Sequence, residues 1–197
     1  SKYAVMEYKK TFDDVKDSWA RSEIELLIAK HIARSESETS FAPDSNITRA
    51  AFASMLVKAL DIKGTDTDKV FVDIPINAWY KDDIYKAYGA GIIDGVSSDY
   101  FAPNEHINRE QMAAMLMRAY AYASGNKLEE MVTTMHIRFT DESSISSWAK
   151  RSVILANAAG LIAGNPDGTF NPKGNTTKAQ AVVVVKRLME KVRYGDR

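Results

Sequence analysis

The sequence predicts an all-α fold in which three tandem helix-loop-helix repeats sit with pseudo-threefold symmetry around a central helical bundle. Three observations carry that expectation. Trp19, Trp79 and Trp148 are each followed 22 residues later by Phe41, Phe101 and Phe170, and eight residues after each Phe stands a basic residue, Arg49, Arg109 or Lys178. Spacing inside each unit is fixed, whereas the interval between successive Trp residues changes from 60 to 69, as duplicated structural units joined by elastic linkers require. A unit of about 55 residues with two helices cannot bury its apolar face alone, so the three units must close on one another.

The units run over residues 10–62, 69–124 and 137–192. Each opens with Phe-x-Asp: Phe12-Asp13-Asp14, Phe71-Val72-Asp73 and Phe139-Thr140-Asp141. A first helix is then expected from Asp17/Ser18, Asn77 or Ser146/Ser147, good N-cap residues, with the Trp in its first turn. Five residues past each Trp come Ile24, Ile84 and Val153, and eight past it Leu27, Ala87 and Ala156, a buried helical stripe. Gly91 and Gly160 follow where a left-handed residue would end the helix. The loop beyond is rich in turn residues, and Phe41, Phe101 and Phe170 plug it into the core ahead of Pro43, Pro103 and Pro172. The second helix begins at Thr48, Asn108 or Thr177. Asn108…Gln111 and Thr177…Gln180 are capping boxes, whereas Ala51 leaves the first repeat half of one. Short helices are expected at Leu128–Val132 and Tyr3–Tyr8.

Lys+Arg and Asp+Glu balance at 26 each, which argues against a general nucleic-acid binder. With no cysteine there are no disulfides and no thiolate metal sites. No stretch reaches the roughly 18 apolar residues of a membrane span. Ser1-Lys2-Tyr3 does not open a signal peptide, so the sequence reads as a soluble piece of something larger. His31, His106 and His136 are isolated, which disfavours zinc. Asn165-Pro166-Asp167-Gly168 fails as a calcium loop, because Ala163 and Gly174 would fall at its first and last ligand positions. No phosphate-cradling loop or nucleophile elbow is present. No catalytic residue, metal or cofactor is expected.

The constellation that can carry chemistry is the cation at each second-helix start. A positive charge there opposes the helix dipole. One reading is an anion site, in which free helix N–H groups and the cation hold a carboxylate. The other is pairing with Asp14, Asp73 or Asp141. Trp19, Trp79 and Trp148 likewise suit either a sugar-stacking platform or a core anchor, and the glycines allow close approach of a ligand or of backbone. The first repeat departs from the others, with His31 and Ser35 at the glycine positions, and its loop is expected to contribute least.

Ile47-Thr48-Arg49-Ala50-Ala51-Phe52 resembles the I-T-R-A-E-F signature of S-layer homology domains. Gly91-Ile92-Ile93-Asp94-Gly95 and Gly160-Leu161-Ile162-Ala163-Gly164 match the family's Gly-(Ile/Leu)-Ile-x-Gly, and the motifs follow the family's order over roughly residues 10–190. The resemblance implies a secreted, non-catalytic module at the cell wall. It would anchor a surface protein non-covalently by binding secondary cell wall polysaccharide that carries pyruvate ketals, in grooves between repeats. The expected ligand-binding set is Arg49, Arg109, Lys178, Asp14, Asp73, Asp141, Trp19, Trp79, Trp148, Gly91, Gly95, Gly160, Gly164 and Ser35. The body should be pseudo-trimeric within one monomeric chain. A helical-repeat protein-interaction module is the alternative.

Overall fold

A computed structural model describes residues 10–64, 67–134 and 138–194 of the chain. The expected Tyr3–Tyr8 helix and His136 lie outside them. The described residues contain six α-helices and no strand: α1 (Arg21–Ala29), α2 (Arg49–Ala59), α3 (Lys81–Gly89), α4 (Arg109–Ser124), α5 (Ser147–Ala158) and α6 (Lys178–Tyr194). The second helices α2, α4 and α6 pack on one another at the centre, and each first helix packs on the second helix of the preceding repeat: α3 on α2, α5 on α4, and α1 on α6. The three repeats therefore close cyclically around one apolar core.

Closure begins with the backbone just before the central helices. The Ile47 N–H donates to Thr176 C=O at 2.9 Å, Thr176 N–H to Ile107 C=O at 3.0 Å, and Ile107 N–H to Ile47 C=O at 3.1 Å. Each repeat thus gives one bond and receives one, with all three residues buried.

The N-termini of the central helices are completed by the same exchange. Arg49 N–H donates to Glu105 C=O and Ala50 N–H to Pro103 C=O; Arg109 and Glu110 reach Gly174 and Pro172, and Lys178 and Ala179 reach Ser45 and Pro43. The next amide in line is capped by Thr48 Oγ1, Asn108 Oδ1 or Thr177 Oγ1. Gln111 and Gln180 return the bond to the cap amides, so the two capping boxes form and only the first repeat lacks the return arm.

Each first helix ends as its sequence demands. Gly91 (φ 70°) and Gly160 (φ 71°) are left-handed, and the paired bonds of Ile92 and Leu161 to Ala87 and Ala156, with Gly91 and Gly160 to Tyr88 and Asn157, make Schellman turns. His31 adopts the same conformation (φ 57°) with a β-carbon, at a cost of about 1–2 kcal/mol.

The starts of the first helices differ from expectation. α1 and α3 begin at Arg21 and Lys81, so Trp19 and Trp79 sit in the turn ahead of them, closed by Arg21 N–H to Ser18 C=O and Lys81 N–H to Ala78 C=O. Ser18 Oγ accepts from Ala20 N–H within the first of these turns rather than capping the helix, and Trp148 keeps the expected place in the first turn of α5. Ser146 precedes α5 but caps nothing; its N–H and Oγ both donate to the buried Glu110 carboxylate. The Leu128–Val132 segment is a turn and extended chain, not a helix. The Arg151 guanidinium takes the carbonyls of Leu128, Glu129 and Met131, which a helix would need for its own amides.

Thr176 stands where the other repeats place Ile47 and Ile107, and its buried Oγ1 has no hydrogen-bond partner among the described residues. Thr176→Val removes that hydroxyl while keeping the shape. It should raise stability by about 1 kcal/mol, read as a higher urea midpoint with unchanged slope; a lower midpoint would show that the hydroxyl is satisfied.

Candidate functional site

The Phe-x-Asp carboxylates are loop latches. Asp14 accepts from the amides of Phe41 (3.1 Å) and Ala42 (2.7 Å) and from Ser40 Oγ (2.7 Å). Asp73 holds the amides of Phe101 and Ala102, and Asp141 those of Phe170 and Asn171. The second residue of each pair is left-handed (Ala42 φ 57°, Ala102 φ 60°, Asn171 φ 56°), so a charge-assisted bond holds a strained backbone in place. Burial pushes the Asp14 carboxyl up, but the bonds from Ser40, Phe41 and Ala42 outweigh it and hold it below the ordinary Asp range.

The repeat cations reach the neighbouring loop. Arg49 Nε and Nη2 donate to the carbonyls of Phe101 (3.0 Å) and Asp94 (3.2 Å); Arg109 Nε and Nη2 donate to those of Phe170 (2.7 Å) and Ala163 (2.9 Å). Each guanidinium also lies over the Phe ring of that loop, at 4.9 Å. Both arginines are only 7% exposed. Burial pushes both below the usual arginine range, with Asp73 and Asp94 drawing Arg49 back up and Asp141 doing so for Arg109. Lys178 sits over Phe41 at 5.0 Å and pairs with Glu36 at 3.2 Å.

Two expectations about these cations change. They do not form ion pairs with the Phe-x-Asp carboxylates, whose oxygens already serve loop amides, but bond to loop carbonyls instead. Nor do the helix N-termini offer free N–H groups, since the neighbouring repeat and the cap residues use them. What an anion can meet is the remaining Nη1 of each arginine, which has no hydrogen-bond partner among the described residues, or the Lys178 ammonium.

The tryptophans are not core residues. Trp19, Trp79 and Trp148 are 67%, 46% and 57% exposed: Trp19 and Trp79 lie in the turn ahead of α1 and α3 and Trp148 in the first turn of α5, and in each case the residue after the Trp (Ala20, Tyr80 or Ala149) is buried instead. Each Trp forms one wall of a groove. In groove 1, Trp79 faces the loop of Arg34, Ser35 and Glu36, with Ala51, Ser54 and Met55 of α2 as floor and Lys178 at one end; its volume is about 320 Å³. Groove 2, about 490 Å³, joins Trp148, the Asp94-Gly95-Val96 loop, the α4 residues Gln111, Ala114, Met115 and Arg118, and Arg49. Groove 3, about 220 Å³, joins Trp19, Ala163-Gly164-Asn165, the α6 residues Gln180, Val183, Val184 and Arg187, and Arg109. Every groove therefore takes its loop and floor from one repeat, its cation from the preceding repeat and its Trp from the following one.

Of the sequence-derived candidates, the grooves gather the three cations, the three Trp residues, Gly95, Gly164 and Ser35. They leave out Asp14, Asp73, Asp141, Gly91 and Gly160, which shape loops and helix ends. Gly95 and Gly164 serve their own loops: a β-carbon would lie 2.7 Å from Tyr100 C=O and 2.8 Å from the Phe71 ring at Gly95, and 2.7 Å from the Phe139 ring at Gly164.

Sequence reasoning missed a second repeated cation, Lys58, Arg118 and Arg187, nine residues after Arg49, Arg109 and Lys178; Arg118 and Arg187 line grooves 2 and 3. That repeated offset was the signal. Arg118 pairs with Asp94 at 2.7 Å, Arg187 donates to Leu161 C=O at 3.3 Å, and Lys58 lies 5.6 Å from the Trp79 ring and 3.7 Å from Asp83. Among the described residues no group of three or more His, Cys, Asp or Glu side chains could hold a metal, and no helix is long and apolar enough to cross a membrane.

A family model described as "S-layer homology domain" matches residues 11–53, 70–113 and 138–182. The chain is 40% identical over 97% of its length to an amylopullulanase of Thermoanaerobacterium thermosulfurigenes, covering 10% of that protein. It is 30% identical over 88% of its length to the surface-layer 125 kDa protein of Lysinibacillus sphaericus, covering 14%. It is also 30% identical over 90% of its length to the S-layer protein sap of Bacillus anthracis, covering 21%. The chain thus spans between a tenth and about a fifth of the length of these relatives.

Because the Arg109 guanidinium joins two carbonyls of the neighbouring repeat, its removal leaves both short of a donor. Arg109→Ala should lower unfolding free energy by about 2–4 kcal/mol without any ligand, and Arg109→Lys should recover only part of this, since it keeps the charge and loses the fork. Urea titration of the free protein checks both; an alanine variant as stable as the parent would mean that the cation is held for ligand alone.

Proposed function

The chain belongs to the S-layer homology domain family, and on that premise we propose that it anchors a surface protein non-covalently to the bacterial cell wall by binding acidic secondary cell wall polysaccharide in its three grooves. The polysaccharide unit we favour is a sugar carrying a pyruvate ketal, whose carboxylate meets the cation at the groove end while the sugar ring stacks on the exposed Trp. The observation that carries this reading is the threefold recurrence of an exposed indole facing a largely desolvated cation across a sugar-sized cleft. Exposing three large aromatic rings costs apolar burial, and the core does not need them there. An amphipathic ring opposite fixed donors is how a protein surface holds a sugar.

Catalysis has no support in these grooves. Glycoside hydrolysis uses two carboxylic groups flanking the bond, and each groove carries at most one carboxylate beside its cations: Glu36 in the first, Asp94 in the second and none in the third. Three sites on one rigid body instead suit a repeating polymer, where one bound unit raises the effective concentration of the next and weak single-site affinities multiply.

Purified cell-wall sacculi should retain the protein, and chemical removal of the secondary polymer should release it. Retention on bare peptidoglycan, or capture only by wall proteins, would refute the glycan reading. Replacing one exposed Trp by Ala should weaken binding to intact sacculi about tenfold, as loss of a stacking platform and its multivalent partner demands. The same variant should melt within about 1 °C of the parent, because surface substitutions away from packing change stability little.

A further inference from the structure

The three grooves share one architecture, but in groove 1 the chain's own loop engages both the cation and the indole. Glu36 Oε2 lies 3.2 Å from Lys178 Nζ, so a carboxylate from within the chain already sits on the repeat cation. Two residues earlier, the Arg34 guanidinium lies 4.5 Å from the centre of the Trp79 ring, on the aromatic plane that a sugar would use. Both recognition elements of the groove are therefore engaged by one three-residue stretch, Arg34-Ser35-Glu36.

The other grooves lack this arrangement at the matching positions. Arg34 corresponds to Asp94 and Ala163, and Glu36 to Val96 and Asn165. Asp94 is an acid that pairs with Arg118 at 2.7 Å, and Ala163 has only a methyl group. Among the described residues no cation lies over Trp148 or Trp19, and no carboxylate pairs with Arg49 or Arg109. Lys58, beside groove 1, also lies 5.6 Å from the Trp79 ring, but it is balanced by Asp83 at 3.7 Å, whose other partner is Ser54 Oγ.

We infer that Arg34 and Glu36 act as a stand-in ligand in groove 1, so that this groove binds a sugar unit, acidic or neutral, less tightly than grooves 2 and 3 do. An acidic sugar must displace Glu36 from Lys178 and Arg34 from Trp79. A neutral sugar offers Lys178 nothing to replace the carboxylate it would lose. The inference rests on the glycan reading above and specifies which groove is weakest and which side chains make it so. Exposed ion pairs and exposed cation–π contacts are each worth a fraction of a kcal/mol to about one, so removing both should tighten groove 1 about three- to thirtyfold.

The test isolates groove 1 by replacing Trp19 and Trp148 with Ala, then introduces Arg34→Ala with Glu36→Asn, the residues of the third repeat. Purified pyruvylated wall polymer and the same polymer stripped of its ketals serve as probes in a calorimetric titration. The double change should tighten binding of the pyruvylated polymer by the stated factor, or make binding measurable where the parent background shows none. Unchanged or weaker binding would overturn the inference and mark Arg34 and Glu36 as contributors to ligand recognition. A control adds Trp79→Ala to the same background. If that protein, with all three Trp residues gone, still binds polymer as the parent chain does, the groove reading itself fails and the inference falls with it.

Discussion

Everything in this molecule hangs on three backbone hydrogen bonds that pass in a circle from Ile47 to Thr176 to Ile107. They sit where the chain enters the central helices, in an apolar environment, and a buried amide left unpaired there would cost about 1–3 kcal/mol. No repeat can satisfy its own entry segment, because its donor and its acceptor both lie in other repeats. The same logic extends one residue at a time: the first two amides of each central helix end on carbonyls of a neighbouring loop, and the arginine side chains at those positions end on carbonyls deeper in that loop. A helix dipole that would ordinarily disfavour a cation at its first position meets backbone oxygens of the adjacent repeat, and the cation bridges to more of them.

That closure explains why the grooves are composite. Once each loop is seated on the preceding repeat's cation and latched by its own Asp, its Gly95 or Gly164 backbone is pressed against an aromatic ring of its own repeat, and its outer edge faces the floor of its own second helix. The first helix of the following repeat docks on that second helix, and the start of that helix or the turn ahead of it presents a Trp across the gap. The groove is thus the space left over when three repeats interlock. Its chemistry is fixed by rigid elements rather than by a mobile loop, which favours preorganised binding.

The sequence revealed the fold almost completely, because periodicity and capping are local. The buried stripe of each helix, the left-handed Gly91 and Gly160, the plugging phenylalanines and the two capping boxes all depend on residues within one or two turns of each other. Partnerships did not follow in the same way. Arg49 and Asp73 look like an ion pair in sequence, yet each meets backbone that only the assembled trimer of repeats brings near. The Leu128–Val132 stretch has helical residues, but Arg151, 20 to 23 residues away in sequence from Leu128, Glu129 and Met131, takes up their carbonyls. The tryptophans were ambiguous for a related reason. A Trp at a fixed repeat position is compatible with core or platform, and the choice turns on which of two adjacent residues faces inward: Ala20, Tyr80 and Ala149 take the core, a one-residue difference that cap preferences alone do not decide. Lys58, Arg118 and Arg187 were legible in principle through their shared offset, though a cation on a helix reads by default as a solvated face.

The unequal first repeat sharpens the argument that the grooves, rather than the core, account for the exposed residues. Stability alone does not favour His31 at a left-handed position, a missing return arm at Ala51, or a charged loop at Arg34–Glu36. Each is a departure from what the second and third repeats do with the same backbone, and the first two carry a cost that a glycine or a glutamine would avoid. The fold tolerates them because closure is shared: the entry segment of the first repeat is still held by Thr176 and Ile107, its central helix by Glu105 and Pro103, and its loop by Asp14. A cyclic array can therefore let one repeat drift in its surface chemistry while the other two keep the frame. On the reading proposed above, three sites of differing strength would let the body hold a polymer whose units are not all identical.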